Sequence, residues 1–304
     1  MHLSQLSLNK RLAALFLPSL AFVFLFVGCG SVAGTGGSPT PVPYKQGSGQ
    51  VLIRLINAPG NIFPSIRPTP TWELYGDGTL LYQSQDASSG TLLQSQLQPA
   101  DVAHIMDVVV NQDSFFADQK TSYGKPIPDV GETDLTVNTT KQQKTVTLFK
   151  EAGAPPSDQH MFSILHFLQS YRPASSHPYT APGAVVLVRQ NSGGAMTATQ
   201  WPYPDISLSQ VANQECETLN NGQGGACPVT SGSGGYFPIY GKRGTDLLNM
   251  LKGSQAMLAS QGNQTYTVLA WPLLPENMVQ TDGKQWVQTE GMNGGRWPLL
   301  PGTH

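Results

Sequence analysis

One short stretch constrains the fold more than any other, residues 70–83, which read PTWELYGDGTLLYQ. Trp72, Leu74 and Leu81 recur at nearly every second position, which predicts one apolar face. Asp77-Gly78 separates the two runs, and this dipeptide favours a tight β-hairpin because it tolerates the positive φ angles of the turn. A hairpin alone is only marginally stable in water, so other elements must cover its apolar face.

The residues around this hairpin predict a first module over 51–175. Strands are predicted at 51–57, 133–139 and 145–149. A helix beginning at Pro99 has apolar residues at the spacing of a single helical face, and they are Val102, Ile105, Met106, Val109 and Val110. A second helix, over 157–171, takes Ser157 as its N-cap. Its predicted inner face is formed by Met161, Ile164, Leu165 and Leu168.

The remaining residues, 176–304, predict a second module. Strands are expected at 183–189 and 265–270, a short helix at 208–216, and a glycine-rich loop at 222–235. A further helix is predicted to be capped by Thr245 and to continue its inner face as far as Met257 and Leu258. Strands mixed with helices, without strict alternation, indicate the α+β class, an antiparallel sheet with helices on one face. We expect the two modules to pack together as one composite unit.

The N-terminus predicts export and anchoring. Lys10 and Arg11 precede a hydrophobic run over 12–27, shorter than the roughly twenty residues of a membrane span and typical of a signal peptide. The run ends at Phe26-Val27-Gly28-Cys29, which resembles the bacterial lipoprotein signal in which the cysteine is acylated. We therefore expect residues 1–28 to be removed and Cys29 to carry lipid. A plain signal peptide or an uncleaved anchor is the alternative. Residues 29–50, rich in Gly, Ser and Pro, are predicted to form a flexible tether.

The amino-acid composition limits the kinds of partner that the protein can bind. Charged residues make up 12% of the 304 residues, and the net charge is −2. The sequence has neither a basic stripe nor an acidic tail, which argues against nucleic acid as a partner. The predicted partner is the membrane, through the lipid anchor, and the predicted location is extracytoplasmic. No cofactor is expected, because the chain lacks a Walker loop, a GxGxxG fingerprint and a GxSxG elbow.

The order of these motifs resembles a family of uncharacterised secreted or lipid-anchored bacterial proteins. The residues that carry the resemblance are LYGDGT at 74–79, the helix at 102–110, 133–137, Trp201-Pro202, Cys227-Pro228-Val229 and WPLLP at 271–275. The chain departs from the family pattern at Ala270-Trp271, where an arginine is expected before PLLP. The resemblance implies a fold and a location, and no activity.

Besides Cys29, two groups of residues are candidates for a site. Outside the cytoplasm, Cys216 and Cys227 predict a disulfide. The tryptophans that precede prolines, Trp201, Trp271 and Trp297, suggest a ligand groove, although covering the core explains them better. The WPLLP motif itself occurs twice, at 271–275 and 297–301.

Histidines and acids give weaker signals. His104, His160, His166 and His177 fit no metal-binding or catalytic motif. The acidic loop with Asp129, Glu132 and Asp134 lacks the dense oxygen ligands of a calcium loop, so no metal is expected. No catalytic residue is assigned. The sequence therefore predicts a non-enzymatic binding or structural module of the cell envelope, and an envelope-acting hydrolase is the alternative.

Overall fold

The predicted hairpin lies at the centre of a large sheet. In the computed structural model, β1 (Val51–Ala58) pairs with β2 (Trp72–Tyr75), which pairs in turn with β3 (Thr79–Gln83). Gly78 closes the turn at φ +86° and its N–H donates to the Tyr75 carbonyl at 3.0 Å. Among the described residues Gly78 is the residue of this turn with positive φ, so Asp77 does not need that conformation. Asp77 instead accepts the Thr79 N–H on its side chain at 2.9 Å.

The described residues are 41–58, 69–84, 91–127, 130–191, 197–213, 235–251, 256–281, 284–288 and 296–298. The large sheet continues with β4 (Leu92–Gln96), β5 (Ser122–Tyr123), β6 (Glu132–Asn138), β7 (Gln143–Leu148) and β8 (His177–Pro178). Its strand order is β5-β7-β6-β1-β2-β3-β4-β8, in which the β5–β7 pair is parallel and the other pairs are antiparallel.

Two helices cover one face of this sheet. They are α1 (Pro99–Asp107), which continues as a π-helical turn over Val108–Gln112, and α2 (Gln159–Ser170). Their buried side chains form one core with the sheet, including Trp72 and Leu74 of the hairpin and Phe115 after α1. The predicted inner faces of both helices are confirmed, with Val110 and Leu165 only half-buried.

The opposite face of the large sheet corrects the prediction for Leu81. The three-residue turn places Leu80, not Leu81, opposite Leu74, and side chains alternate along a strand. Leu81 therefore lies away from the helices, where it packs with Tyr75, Leu92 and Leu274.

A second sheet is formed farther along the chain. It contains β9 (Gly183–Gln190), β10 (Thr199–Gln200), β11 (Gly235–Tyr240), β12 (Ala256–Gln261) and β13 (Gln264–Pro272), in the order β10-β12-β13-β9-β11. Helices α3 (Leu208–Ala212) and α4 (Gly241–Met250) share a core with one face of this sheet. Three short strands form a third sheet, and they are β14 (Met278–Thr281), β15 (Lys284–Gln288) and β16 (Arg296–Pro298). The predicted α+β class is confirmed.

The starts of two helices differ from the prediction. α2 is preceded by a 3₁₀ turn over Pro156–Asp158, so Asp158, rather than Ser157, stands at its N-cap. α4 begins at Gly241, and the Thr245 hydroxyl donates to the Gly241 carbonyl at 3.2 Å from inside the helix. The hydroxyl that resembled a cap in the sequence thus bonds back to the preceding turn.

The prediction for Met257 and Leu258 is wrong, because both lie in strand β12 and not on a continued helix. β12 and β13 form an antiparallel hairpin in which Gly262 takes φ +62°. Met257 and Ala259 of β12 pack on the core of the second sheet, with the two-residue period of a strand. Leu258 lies seven positions after Leu251, a spacing that fits a helix equally well, so the sequence did not separate the two structures.

The last ten residues of the predicted tether, 41–50, lie against the large sheet. Val42 and Tyr44 pack on its core, and the Thr140 N–H donates to the Pro43 carbonyl at 3.1 Å. A Cβ on Gly76 would lie 2.1 Å from the Lys45 carbonyl oxygen, so the hairpin needs glycine at that position. The folded unit therefore begins before residue 51. In the part of the chain that the structure describes, none of the helices has the length and apolar character needed to cross a membrane.

Candidate functional site

A pair of opposite charges lies in the middle of the large sheet. Arg54 on β1 and Glu73 on β2 are direct cross-strand neighbours. Their strand neighbours Ile53, Leu55 and Leu74 belong to the helix-side core, so the two charged side chains lie on the other face. The Arg54 Nε–H donates to Glu73 Oε1, and the Glu73 side chain is fully buried.

A second carboxyl group reaches this pair from far along the chain. Glu276 lies in a 3₁₀ turn, Pro275–Asn277, directly after β13. Arg54 Nη2 donates to Glu276 Oε1 at 2.6 Å, and the Glu276 side chain is 7% exposed. This contact attaches the segment after the second sheet to the large sheet.

Tyr75 completes the cluster. Its hydroxyl oxygen lies 2.8 Å from Glu73 Oε2 and 2.6 Å from Glu276 Oε2. We call these four residues, Arg54, Glu73, Tyr75 and Glu276, the acid–base cluster.

Burial governs the electrostatics of the acid–base cluster. It raises the pKa of Glu73 to about 7, against a partial lowering by Arg54 and a further raising by Glu276. Burial alone would lower the pKa of Arg54, but Glu73 and then Glu276 raise it above its ordinary value. The pKa of Tyr75 is raised, first by burial and then by Glu73. At neutral pH the cluster therefore contains a cation, a neutral phenol, and a carboxyl group that titrates near neutrality.

The acid–base cluster contains side chains that could act in acid–base catalysis, because a buried carboxyl group with a raised pKa, such as Glu73, is a feature of many active sites. Their arrangement is that of a mutual network, however. Both carboxyl groups contact Arg54 and Tyr75, and Arg54 and Glu73 are almost fully buried. The contacts join elements distant in sequence, which is the arrangement of a structural joint.

A second polar network lies beyond the end of α1. Lys144 Nζ donates to the carbonyl oxygens of Phe115 at 3.3 Å and Asp118 at 3.0 Å. The Tyr123 hydroxyl donates to Asp118 Oδ1 at 2.6 Å, and Lys120 pairs with Asp158. These contacts fix the loop between the π-helical turn and β5.

Of the three tryptophans that suggested a groove, Trp201 and Trp271 have described side chains, and these lie on opposite faces of the second sheet. Trp201 is 3% exposed in the core of the second sheet, edge-on to Tyr203 with ring centroids 5.2 Å apart. Trp271 follows buried Ala270 of the same core on β13, so it lies on the opposite face of that sheet. The side chain of Trp297 lies outside the described residues. Trp201 thus covers a core, as its preferred interpretation held.

The histidines and loop acids are also dispersed. His104 is exposed, the His160 ring contacts the Ser157 carbonyl at 2.8 Å, and His166 lies 3.1 Å from Glu151. Asp134 accepts the Thr147 hydroxyl at 2.9 Å. Within the described ranges, three or more His, Cys, Asp or Glu side chains do not converge as metal ligands would. Asp129 lies outside the described residues.

Cys29, Cys216 and Cys227 lie outside the described residues as well, so lipidation and the disulfide stay predictions. Linkage of Cys216 to Cys227 is tested by non-reducing peptide mapping of secreted protein. Free thiols at both positions would contradict it.

The acid–base cluster was not predicted from the sequence, although two of its four residues are recognisable there. Arg54 and Glu73 are single charged residues inside the otherwise apolar runs VLIRLI and WELY. Charged residues are almost never fully buried unless they are paired, so two such strands side by side predict an ion pair. Nothing in the sequence pairs either residue with Glu276.

Comparisons with known proteins add no relatives. No protein-family model matches the chain, and neither the curated proteins nor the solved structures include a match to it. The fold and the cluster define an α+β protein in which a buried ion-pair network joins the large sheet to the turn that follows the second sheet. The resemblance to secreted bacterial proteins stays a prediction.

Proposed function

We propose that this chain is a lipid-anchored extracytoplasmic protein whose folded part is a non-enzymatic binding or structural module of the cell envelope. The anchoring half of the proposal rests on the hydrophobic run before Cys29 and on the Gly/Ser/Pro-rich residues after it.

The non-enzymatic half rests on one observation, the burial and mutual pairing of the acid–base cluster. Among the described carboxyl groups, Glu73 is the best candidate for a general acid, because its pKa is raised to about 7. Its two oxygens contact Arg54 and Tyr75. A general acid must reach its substrate, directly or through one water. The pairing supports a structural use of these groups.

Anchoring is tested by fractionation of cells that express the full chain. Wild type is expected in the membrane fraction, with an intact mass that shows acylation of a mature N-terminal Cys29. Cys29→Ser should lose the acyl mass and remain soluble or uncleaved. Cys216→Ser is the matched control, because it makes the same substitution at a cysteine that lies outside the lipidation signal. An unmodified mature N-terminus at another residue would overturn the anchoring.

The alternative, an envelope-acting hydrolase, is tested on the same protein. Purified wild type is incubated with peptidoglycan and with phospholipid vesicles, and released fragments are measured. The proposal expects no release above that of a heat-denatured sample. Hydrolysis that is lost in Glu73→Gln, a variant that keeps the size of the side chain, would establish the enzyme instead.

A further inference from the structure

We propose that Glu73 and Glu276 share one proton across the hydroxyl of Tyr75, and that loss of this proton loosens the segment 273–277 from the large sheet. The proposal concerns a pH-dependent joint within the fold, and it holds whether or not the protein is lipid-anchored.

The Tyr75 hydroxyl has too few protons for its two carboxyl neighbours. The Tyr75 hydroxyl oxygen lies 2.8 Å from Glu73 Oε2 and 2.6 Å from Glu276 Oε2, both hydrogen-bonding distances. A phenol has one O–H and can donate one good hydrogen bond. The second short contact needs a proton on the carboxyl group, which then donates to the phenol oxygen. A neutral acid at one glutamate satisfies both contacts.

The charges of the acid–base cluster also favour a retained proton. Among the described residues, Arg54 is the cation that contacts the two carboxyl groups. With both glutamates ionised, this group of side chains has an excess negative charge in a region where Glu73 is fully buried. Two carboxylates that share a buried site raise the pKa of one of them. A retained proton removes the excess charge, and the raised pKa of Glu73 agrees with this.

The shared proton stabilises the contact between the segment 273–277 and the large sheet. The segment 273–277, which we call the clamp segment, leaves β13 and crosses to the large sheet. The Leu273 N–H donates to the Gly183 carbonyl at 3.0 Å, and the Leu274 N–H donates to Asn277 Oδ1 at 2.8 Å. Leu274 packs on Tyr75, Leu81 and Leu92 of the large sheet. Repulsion between Glu73 and Glu276 would act directly on the contact between the clamp segment and the large sheet.

Among the described residues, the titratable groups that face Glu73 and Glu276 come from four parts of the fold. They are Arg54 of β1, Glu73 and Tyr75 of β2, Glu276 of the clamp segment, and Tyr179 after β8. The Tyr179 hydroxyl donates to the Leu273 carbonyl at 2.8 Å. Burial, then Glu276 and Glu73, raise the pKa of Tyr179, so both tyrosines stay neutral while Glu73 titrates. The proton at issue therefore belongs to a carboxyl group and not to a phenol.

The proton itself is tested by infrared spectroscopy of the full-length wild type. At about pH 6 most exposed carboxyl groups are ionised, so a band of a buried protonated carboxyl should stand out. The band should fade toward about pH 8 and should be absent in Glu73→Gln or in Glu276→Gln. Absence of this band from folded wild type at about pH 6 would overturn the proposal, even if both variants failed to fold.

The loosening is tested by amide hydrogen exchange, corrected for intrinsic rates. Protection of the Leu274 and Asn277 amides should fall about tenfold or more between about pH 5 and about pH 8, while amides of α2 keep their protection. Glu276→Gln should abolish the dependence, because one carboxyl group then faces one cation. Glu132→Gln, on β6 of the same sheet, is the matched control and should behave as wild type. Wild-type protection independent of pH, or a Glu276→Gln variant with the wild-type dependence, would overturn the proposal.

Discussion

Arg54 Nη2 lies 2.6 Å from Glu276 Oε1, although the two residues are separated by 222 positions in the chain. The contact connects β1, in the centre of the large sheet, to the turn that follows the last strand of the second sheet. Closing so long a loop costs conformational entropy, which other contacts along the chain must offset before this contact adds stability. The joint therefore depends on the packing of the large sheet and of the second sheet.

Replacing the cation tests how strongly this joint stabilises the fold. Arg54→Met keeps the length of the side chain but leaves Glu73 and Glu276 without their cation. Breaking a buried pair in this way should lower the free energy of unfolding by about 3–5 kcal/mol, as measured by urea denaturation.

Arg243→Met is the control for Arg54→Met. Arg243 donates two hydrogen bonds to Asp205, at 3.0 and 2.7 Å, but this pair is solvent-exposed. Exposed pairs contribute about 1 kcal/mol or less, so the control should lose far less stability than Arg54→Met. Equal losses in the two variants would contradict the central role of Arg54.

The pH dependence of stability follows from the raised pKa of Glu73. Because that pKa is about 7 in the folded state and 4.5 ordinarily, the folded protein binds more protons between these values. The stability that protonated Glu73 contributes is fully present below its ordinary pKa. It is lost as the pH rises through the pKa of Glu73 in the folded state. Stability should thus fall by about 3 kcal/mol over this window.

The comparison with Glu73→Gln isolates this contribution. Asp118 and Asp158 have lowered pKa values, so they contribute stability at higher pH that is lost under strong acid. Urea midpoints of wild type and Glu73→Gln, compared from about pH 5 to about pH 8, should converge at low pH and diverge in favour of the variant at high pH. A constant difference would refute the assignment to Glu73.

Tyr75→Phe tests the hydroxyl between the two carboxyl groups. Above the pKa of Glu73 the variant leaves two carboxylates without their shared donor, and the loss should be about 1–3 kcal/mol. At about pH 5 a protonated carboxyl group can donate to the other one, so the loss should be smaller. Thermal melts at both pH values measure the difference. Tyr82→Phe, on the helix-side core of the adjacent strand, provides the matched control.

Much of the fold could be predicted, because many of its elements are determined by residues that are close together in sequence. The Asp77-Gly78 turn, the apolar face of α1 and the strand β9 each depend on residues close together in sequence. The errors occurred where two periods fit the same residues, as with Met257 and Leu258, or where a polar residue near a helix start resembled a cap, as with Thr245.

The cluster could be only half predicted, for a physical reason. Arg54 and Glu73 can be recognised in the sequence as charged residues within apolar strands. Their pairing with Glu276 depends on how the chain after the second sheet packs on the large sheet. This packing is between distant surfaces, and hydrophobic period carries no information about it. The WPLLP motif at 271–275 was visible, yet its role in placing Glu276 was not.

Trp72 tests the burial of the hairpin beneath α1. It is 2% exposed and belongs to the same core as Val102, Ile105 and Met106. Trp72→Ala should lower the free energy of unfolding by about 3–5 kcal/mol, because it leaves a large cavity. Val130→Ala, at an exposed apolar side chain, is the control and should change little. A small loss in Trp72→Ala, measured by urea denaturation, would contradict the placement of the ring in the core.

The turn itself separates a conformational requirement from a chemical one. Gly78 has φ +86°, and a Cβ there would lie 2.7 Å from the Leu97 carbonyl oxygen, so Gly78→Val should destabilise the protein through strain and collision. Asp77→Asn should be nearly neutral, because Asn can accept the Thr79 N–H at the position where Asp77 Oδ1 accepts it at 2.9 Å. Asp77→Ala removes that acceptor and should cost about 1 kcal/mol. Thermal melts of the three variants should therefore rank Asp77→Asn as the most stable, then Asp77→Ala, then Gly78→Val. If Asp77→Asn melted as early as Asp77→Ala, the carboxylate charge, rather than the hydrogen bond to Thr79, would be what this turn requires.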